Sequence, residues 1–286
     1  MRLVFDRGAS GFPHPCSPSS LEWEKSLGVA LQREGFFTSM GVAKAMLKVD
    51  AGERLILALD VPSLDEARQL LDRISDSVQF VKIGLELFTT AGPRIVEEAR
   101  KRAKRVFLDL KFLDIDETVR RATAQVADMG VEFLTVHANR KALQAAVEAR
   151  ANSSQTRLKL LAVTVLTNFD SQDLRDMGIQ LSVTELVSAR ARLALEVGCD
   201  GVVASGEEPS AIRAQVGPGL LIVTPGIRPS DRGRDDHARV ATPAEAIAAG
   251  SDYLVVGRPI RDAADPRHAA EAIVREMQAA FDARKK

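Results

Sequence analysis

The chain has 286 residues, of which 45% are hydrophobic and 27% are charged. This composition is typical of a folded globular protein that buries a large core. Lys plus Arg and Asp plus Glu number 39 each, so the formal net charge is zero. Because no overall positive field attracts a polyanion or an anionic lipid surface, we expect neither a nucleic-acid nor a membrane partner. An anionic ligand would need local positive groups.

The cysteines and the hydropathy pattern exclude further classes. Cys16 and Cys199 stand far apart, without a second Cys or a His at metal-ligand spacing. We therefore expect no disulfide framework, no metal site and no bound cofactor. No apolar run approaches the roughly 18 residues of a membrane span, and the N-terminus lacks a signal-peptide pattern. The expected location is the cytoplasm.

The first part of the chain differs from the rest. Gly8–Ser20 is rich in Gly, Pro and Ser, which favours loop or disorder, and Leu21–Phe37 could form a short amphipathic helix. We predict that residues 1–52 form an irregular, poorly ordered N-terminal extension without a catalytic role. Residues 53–286 are predicted to form the folded domain.

From Leu55 onward, short apolar runs alternate with longer segments of helical spacing. The runs are rich in β-branched and aliphatic residues, as expected for buried parallel strands. We predict eight strands, at Leu55–Leu59, Phe80–Ile83, Val106–Leu110, Phe133–Val136, Leu158–Val165, Gly201–Ala204, Leu220–Val223 and Tyr253–Val256.

The segments between these runs predict helices, for example at Ser63–Ile74, Gly92–Ala103 and Val183–Val197. Eight βα units favour closure into a TIM (β/α)8 barrel, because a doubly wound sheet more often has five or six strands. The first strand is followed by Asp60-Val-Pro-Ser63, not by a glycine-rich dinucleotide motif. The fold class is therefore α/β, a single barrel domain after the extension.

Charged residues stand at the ends of the first three predicted strands. Asp60 ends the first strand, Lys82 lies on the second, Asp109 and Lys111 share one face of the third, and Asp114 follows in the next loop. Barrel enzymes place their catalytic groups at these carboxyl ends. A single buried Asp–Lys pair would merely close the barrel. Several alternating charges favour a catalytic site, because pairing only partly offsets their desolvation.

The last two predicted strands are followed by Gly and Arg residues. Gly226 and Arg228 follow the seventh strand, and Gly257 and Arg258 follow the eighth. Barrels commonly bind phosphate at these two loops. Glycine permits close backbone approach and Arg makes charge-assisted bonds to phosphoryl oxygens. The pattern predicts a phosphate site opposite the Asp–Lys cluster.

The motif Asp109-Leu-Lys111-Phe-Leu-Asp114-Ile115 resembles the Asp-x-Lys-x-x-Asp-Ile signature of the orotidine 5'-phosphate decarboxylase family. Other landmarks of that family follow in the same order: Asp60, Phe80-Val-Lys82-Ile-Gly84, Ala162-Val-Thr-Val-Leu-Thr167, Thr224-Pro-Gly-Ile-Arg228 and Val255-Val-Gly257-Arg258. The resemblance spans Leu55 to the C-terminus. It implies a cofactor-independent enzyme of pyrimidine biosynthesis that converts orotidine 5'-phosphate to UMP and CO2.

The resemblance also implies roles for individual residues. Lys111 would donate the proton, and Asp109 would lie beside the substrate carboxylate. Asp60 and Lys82 would hold the ribose hydroxyls and the charge network, and Thr167 would lie near the pyrimidine. Three residues would bind the phosphate: Arg228, Gly257 and Arg258. The family's active sites are shared across a homodimer, so three residues would serve the neighbouring subunit's pocket: Asp114, Ile115 and Thr118.

One departure concerns the loop that follows Arg228. His237 stands where the family usually has a Gln that bridges base and phosphate. A His side chain donates one hydrogen bond there but does not offer the donor and acceptor of an amide.

Two other functions stay open from the sequence. The first is a sugar-phosphate decarboxylase or aldolase with the same Asp-x-Lys-x-x-Asp motif, which normally uses a divalent metal and a Glu after the second strand; Glu86 lies in that region. Thr167 and the loop to Arg228 favour the nucleotide enzyme. The second is a non-catalytic nucleotide sensor, against which the intact Asp109, Lys111 and Asp114 argue.

Overall fold

The computed structural model describes residues 50–153, 157–229 and 241–284. Eight parallel strands follow one another around a closed barrel, and β8 pairs with β1. The predicted TIM barrel is confirmed. The strands are β1 (Leu55–Ala58), β2 (Phe80–Gly84), β3 (Arg105–Phe112), β4 (Phe133–His137), β5 (Lys159–Val163), β6 (Gly201–Val203), β7 (Leu221–Thr224) and β8 (Tyr253–Val256).

Helices surround the strands. Short 3-10 turns stand at Gly52–Arg54 and Ser75–Ser77. The α-helices are α1 (Leu64–Ile74), α2 (Leu85–Ala91), α3 (Arg94–Lys101), α4 (Asp116–Asp128), α5 (Arg140–Ala151), α6 (Ser171–Asp176), α7 (Val183–Val197), α8 (Pro209–Val216), α9 (Pro243–Ala249), α10 (Arg258–Arg261) and α11 (Pro266–Arg284).

Local signals set the helix ends where they are strong. Helix α7 has the predicted bounds, because Ser182 and Glu185 form a capping box and Gly198 ends it in the left-handed conformation. The helix predicted at Gly92–Ala103 is shorter. Gly92 has φ 58° and terminates α2, so α3 begins only after Pro93.

Side chains on the strands alternate between the barrel interior and the helical layer. On β1, Leu55 and Leu57 pack in the large core between barrel and helices, whereas Ile56 and Ala58 belong to the cluster inside the barrel. This period of two places every second strand residue inward. Asp60 therefore follows the inward positions of β1.

Aromatic rings fill the amino-terminal half of the barrel. The ring of Phe133 lies 4.9 Å from that of Phe80 and 5.1 Å from that of Tyr253, both edge to face. Arg105 lies over the Phe80 ring at 4.3 Å and donates two hydrogen bonds of 2.6 Å to Glu132. Burial alone would raise the pKa of Glu132, but these bonds lower it below its ordinary value. The amino-terminal end of the barrel, its floor, is thus closed by edge-to-face aromatic rings and a bidentate ion pair.

We expect Arg105→Met to lower the free energy of unfolding by about 2–4 kcal/mol, because it removes the bidentate partner of the half-buried Glu132 carboxylate and leaves only the 3.5 Å contact with Lys159. Urea denaturation at neutral pH measures this loss. Arg140→Met is the matched control, since Arg140 makes a similar bidentate pair with Glu196 on the surface. Equal losses in the two variants would contradict the prediction that the half-buried Arg105–Glu132 pair contributes more to stability than the surface pair.

The predicted extension falls, up to residue 49, outside the described residues, and so does Cys16. Ala51 is fully buried, and its N–H donates to Gln278 Oε1 at 3.1 Å. Within the described ranges, no helix combines the length and apolar character needed to cross a bilayer.

Candidate active site

Four charged side chains of alternating sign form a chain across the carboxyl ends of β1, β2 and β3. Lys82 Nζ lies 2.9 Å from Asp60 Oδ1 and 3.7 Å from Asp109 Oδ2. Lys111 Nζ lies 2.9 Å from Asp109 Oδ1. The structure therefore brings together Asp60, Lys82, Asp109 and Lys111, which the sequence placed on three separate strands. Each charge except those at the two ends has a partner on both sides.

A bulge in β3 positions Lys111. Leu108 pairs with Leu134 of β4, but the next paired residues are Phe112 and Val136, so β3 advances four residues while β4 advances two. Lys111 lies within this bulge and has φ 50°, which is uncommon for a residue with a Cβ. Backbone strain of this kind is often found at functional sites. At this bulge, the ammonium group of Lys111 and the carboxylate of Asp109 lie 2.9 Å apart.

Within this row of four charged side chains, the electrostatics favour the ionised form of Asp109. Burial alone would raise the pKa of this carboxyl group, but the positive charges of Lys82 and Lys111, with hydrogen bonds from Lys111 and Thr135, lower it below its ordinary value. The carboxylate accordingly stays ionised at neutral pH. A fixed negative charge lies beside a primary ammonium group.

Gly84, at the end of β2, leaves room for this network. A Cβ at residue 84 would lie 3.1 Å from Lys82 Nζ and 3.3 Å from Asp60 Oδ1. Both contacts are tight, so a larger residue would press on the ion pair. Gly84 pairs with Asp109 in the β2–β3 register. Gly84 is not among the site residues predicted from the sequence, although a glycine at a strand end was the available signal.

The four charged side chains line a cavity of about 280 Å³. Its lining combines the charged chain with apolar side chains from the barrel top, including Phe107, Val165 and Val203. Eight of the predicted site residues line it: Asp60, Lys82, Asp109, Lys111, Thr167, Arg228, Gly257 and Arg258. An apolar space with a few converging polar groups is typical of a small-molecule site.

The loops after β7 and β8, which also line the cavity, carry the predicted phosphate residues. Gly226 has φ 76°, a conformation that favours glycine, and it turns the chain after β7. Arg228 is only 8% exposed, and its Nη1 donates to Ile227 O at 2.9 Å. Gly257 precedes helix α10, which begins with Arg258. Two arginine residues and two glycine loops thus border the cavity.

Three predicted site residues do not line the cavity of their own chain. Asp114, Ile115 and Thr118 lie on the loop after β3 and the first turn of α4, and all three are exposed. Asp114 Oδ1 accepts a 2.6 Å hydrogen bond from the N–H of Ile115, whose side chain is 72% exposed. His237 lies outside the described residues.

Two polar residues near the charges were missed by the sequence analysis. Thr135 Oγ1 donates to Asp109 Oδ1 at 2.9 Å, and its position in phase with Phe133 was the available signal. Arg261 lines the cavity, and its Nη1 donates to Asp60 O at 2.7 Å. Its spacing of three from Arg258 on a helix could have indicated it. Among the described residues, no three His, Cys, Asp or Glu side chains are grouped to hold a metal ion.

Comparison with protein families and sequences gives a consistent result. Residues 53–273 match the family model described as Orotidine 5'-phosphate decarboxylase / HUMPS family. The orotidine 5'-phosphate decarboxylase of Rhodopseudomonas palustris (strain BisB5) is 51% identical over 225 residues, which make up 79% of this chain and 94% of that protein. The protein of the same name from Nitrobacter winogradskyi is 51% identical over 227 residues, 79% of this chain and 93% of its own length.

Solved structures agree with the sequence comparison. The crystal structure of orotidine 5'-phosphate decarboxylase from Lactobacillus acidophilus matches with a TM-score of 0.71 and 35% sequence identity. The match covers 79% of this chain and 99% of that chain.

Proposed function

The chain belongs to the orotidine 5'-phosphate decarboxylase / HUMPS family, and we propose that it converts orotidine 5'-phosphate to UMP and CO2 by electrostatic catalysis without a cofactor. The observation that carries the mechanism is the contact between Asp109 and Lys111 inside a largely apolar cavity. The family match and the relatives named for this reaction support the substrate.

In the proposed reaction, the bond between C6 of the pyrimidine and its carboxylate breaks. CO2 leaves, and the electron pair stays on C6, in the plane of the ring and outside its π system. A proton from the ammonium group of Lys111 then forms the new C6–H bond, and solvent returns a proton to Lys111. The net reaction consumes one proton and releases one CO2.

Lys111 serves this step in two ways. Its positive charge lies where negative charge develops on C6, and a cation fixed in advance needs no reorganisation during the reaction. It is also the acid that delivers the proton. Asp109 holds the ammonium group by a 2.9 Å contact. Asp60 and Lys82 continue the network and would bind the ribose hydroxyls, and Thr167 would lie beside the pyrimidine.

The phosphate of the substrate would bind at the loops after β7 and β8. Arg228 and Arg258 supply charge-assisted hydrogen bonds, and Gly257 permits close approach of the backbone. Binding energy at this remote group can be used to organise the charges around C6, so its loss would lower turnover as well as affinity.

We further propose that the active enzyme is a homodimer with shared sites. Asp114, Ile115 and Thr118 are exposed beside the mouth of their own cavity, and the side chains of Leu85 and Leu113 are 57% and 58% exposed. Exposed large apolar side chains directly after the ends of β2 and β3 favour a protein interface. A second copy would cover them and would place Asp114 beside Lys111 of its partner.

A sugar-phosphate activity of the same family is the competing function. That reaction would call for a metal and for Glu86 in the site. Glu86 lies exposed on α2 and does not line the cavity. The curated relatives at 51% identity are named for the nucleotide reaction.

The experiment that tests the function follows the loss of ultraviolet absorbance when orotidine 5'-phosphate is added to the purified full chain. We expect turnover that survives excess EDTA, with UMP as the product. Absence of turnover with this substrate would refute the proposal. Turnover of this substrate that disappears with the chelator would refute the cofactor-free mechanism.

A further inference from the structure

Thr135 lies between the two residues that carry the proposed chemistry. It belongs to β4, is fully buried, and follows the inward-facing Phe133 by two positions. Its hydroxyl donates to Asp109 Oδ1 at 2.9 Å. The same oxygen accepts a hydrogen bond of 2.9 Å from the backbone N–H of Lys111. One hydroxyl therefore uses a donor and an acceptor on two different residues of β3.

The bulge in β3 explains why this contact matters. Between the pairs Leu108–Leu134 and Phe112–Val136, three residues of β3 stand opposite Thr135 alone. A regular parallel ladder would supply a backbone acceptor for each N–H group that points towards the neighbouring strand, and a bulge interrupts that ladder. The side chain of Thr135 supplies the acceptor for Lys111. A buried backbone N–H seldom stays without one.

The contact also acts on a strained residue. Lys111 has φ 50°, so its backbone conformation depends on the surrounding structure. The bond to Thr135 fixes the peptide nitrogen, while Asp109 fixes the ammonium group at the other end of the same residue. Because Thr135 Oγ1 also donates to Asp109, one oxygen atom contacts both the Asp109 carboxylate and the backbone of Lys111.

We propose that Thr135 is a positioning residue for the decarboxylation, whose single hydroxyl sets the placement of the Asp109 carboxylate relative to Lys111. Thr135 does not line the cavity and therefore acts through these two residues. The inference rests on the proposed function for its kinetic consequence, and on the hydrogen bonds alone for its structural one.

The kinetic test compares Thr135→Val with Thr135→Ser. Valine keeps the shape but lacks the hydroxyl, so kcat is expected to fall by roughly 10²-fold, the scale on which misplaced reacting groups lose rate. KM should change by less than about threefold, because the ribose and phosphate contacts lie elsewhere. Serine restores the donor and acceptor and should recover most of kcat.

Thr164→Val is the matched control. Thr164 is also a fully buried threonine at the top of the barrel, and its hydroxyl donates to Val203 O at 2.8 Å without contacting the charged chain. It measures the cost of losing one buried hydroxyl. A fall in kcat of the same size in both valine variants would overturn the proposal, as would wild-type kcat in Thr135→Val.

A second measurement does not depend on turnover. In protein labelled with 15N-lysine, hydrogen exchange of the Lys111 amide reports its bond to the hydroxyl. We expect several-fold faster exchange in Thr135→Val than in wild type or Thr135→Ser, while Thr164→Val leaves it unchanged. Unchanged exchange in Thr135→Val would refute the proposal.

The two readouts separate the possible failures. An inactive wild type would refute the proposed function, and Lys111 exchange would still decide the role of Thr135. If Thr135→Val does not fold, Thr135→Ala also removes the hydroxyl, and the same two readouts apply to it.

Discussion

Lys111→Ala is expected to reduce turnover of orotidine 5'-phosphate by more than about 10³-fold. Removing one preorganised charge from a transition state commonly costs about 10²–10³ in rate, and here the proton donor is lost as well. UMP should still bind, because Arg228 and Arg258, which also line the cavity, are unchanged. Single-turnover kinetics and calorimetric titration with UMP measure the two effects separately.

Lys141→Ala is the control for this prediction, because Lys141 is an exposed lysine at the start of α5, away from the cavity. It should have wild-type kinetics. If Lys111→Ala stayed within about tenfold of wild type, the assignment of Lys111 as the centre of the electrostatic mechanism would be wrong.

Mixing two inactive variants is expected to restore about a quarter of wild-type activity. Asp114→Ala and Lys111→Ala should each be nearly inactive alone. In a heterodimer, one pocket receives Lys111 from the first chain and Asp114 from the second, and the other pocket carries both lesions. Random exchange makes half of the dimers heterodimers, each with one intact site, which gives about a quarter in a symmetric dimer. Activity after subunit exchange, verified by mass spectrometry of differently tagged chains, measures the recovery.

A matched mixture tests the geometry of sharing. Asp109 and Lys111 line the same cavity of one chain, so Asp109→Asn mixed with Lys111→Ala leaves one lesion in every pocket of the heterodimer. This mixture should recover nothing. The shared-site model would be wrong if the first mixture also showed no activity above its single variants once exchange is verified.

Several features of the molecule were determined by sequence alone, because their causes are local. The eight strands could be predicted from short apolar segments, because parallel strands are buried on both faces and are therefore apolar along their length. The period of two placed Asp60, Lys82 and Asp109 on inward positions of three successive strands. Since sequential parallel strands are neighbours in a barrel, their carboxyl ends had to lie side by side.

Tertiary structure decided those features of the site that depend on contacts between neighbouring strands. The strand predicted at Val106–Leu110 extends to Phe112 because β4 accommodates a bulge, and no local pattern announces the φ of 50° at Lys111. The bond from Lys111 to Thr135 joins residues 24 positions apart. Its existence depends on strand register, which is set by the whole barrel.

The same physical distinction applies to the residues that face outward. The motif marked Asp114 as strongly as Lys111, yet Lys111 lines the cavity and Asp114 is exposed on the loop beyond β3. The two residues are three positions apart, and the turn out of the barrel lies between them. The sequence motif identified the charged residues that the chemistry needs. The path of the backbone after the bulge decided which side chain lines its own cavity and which faces outward.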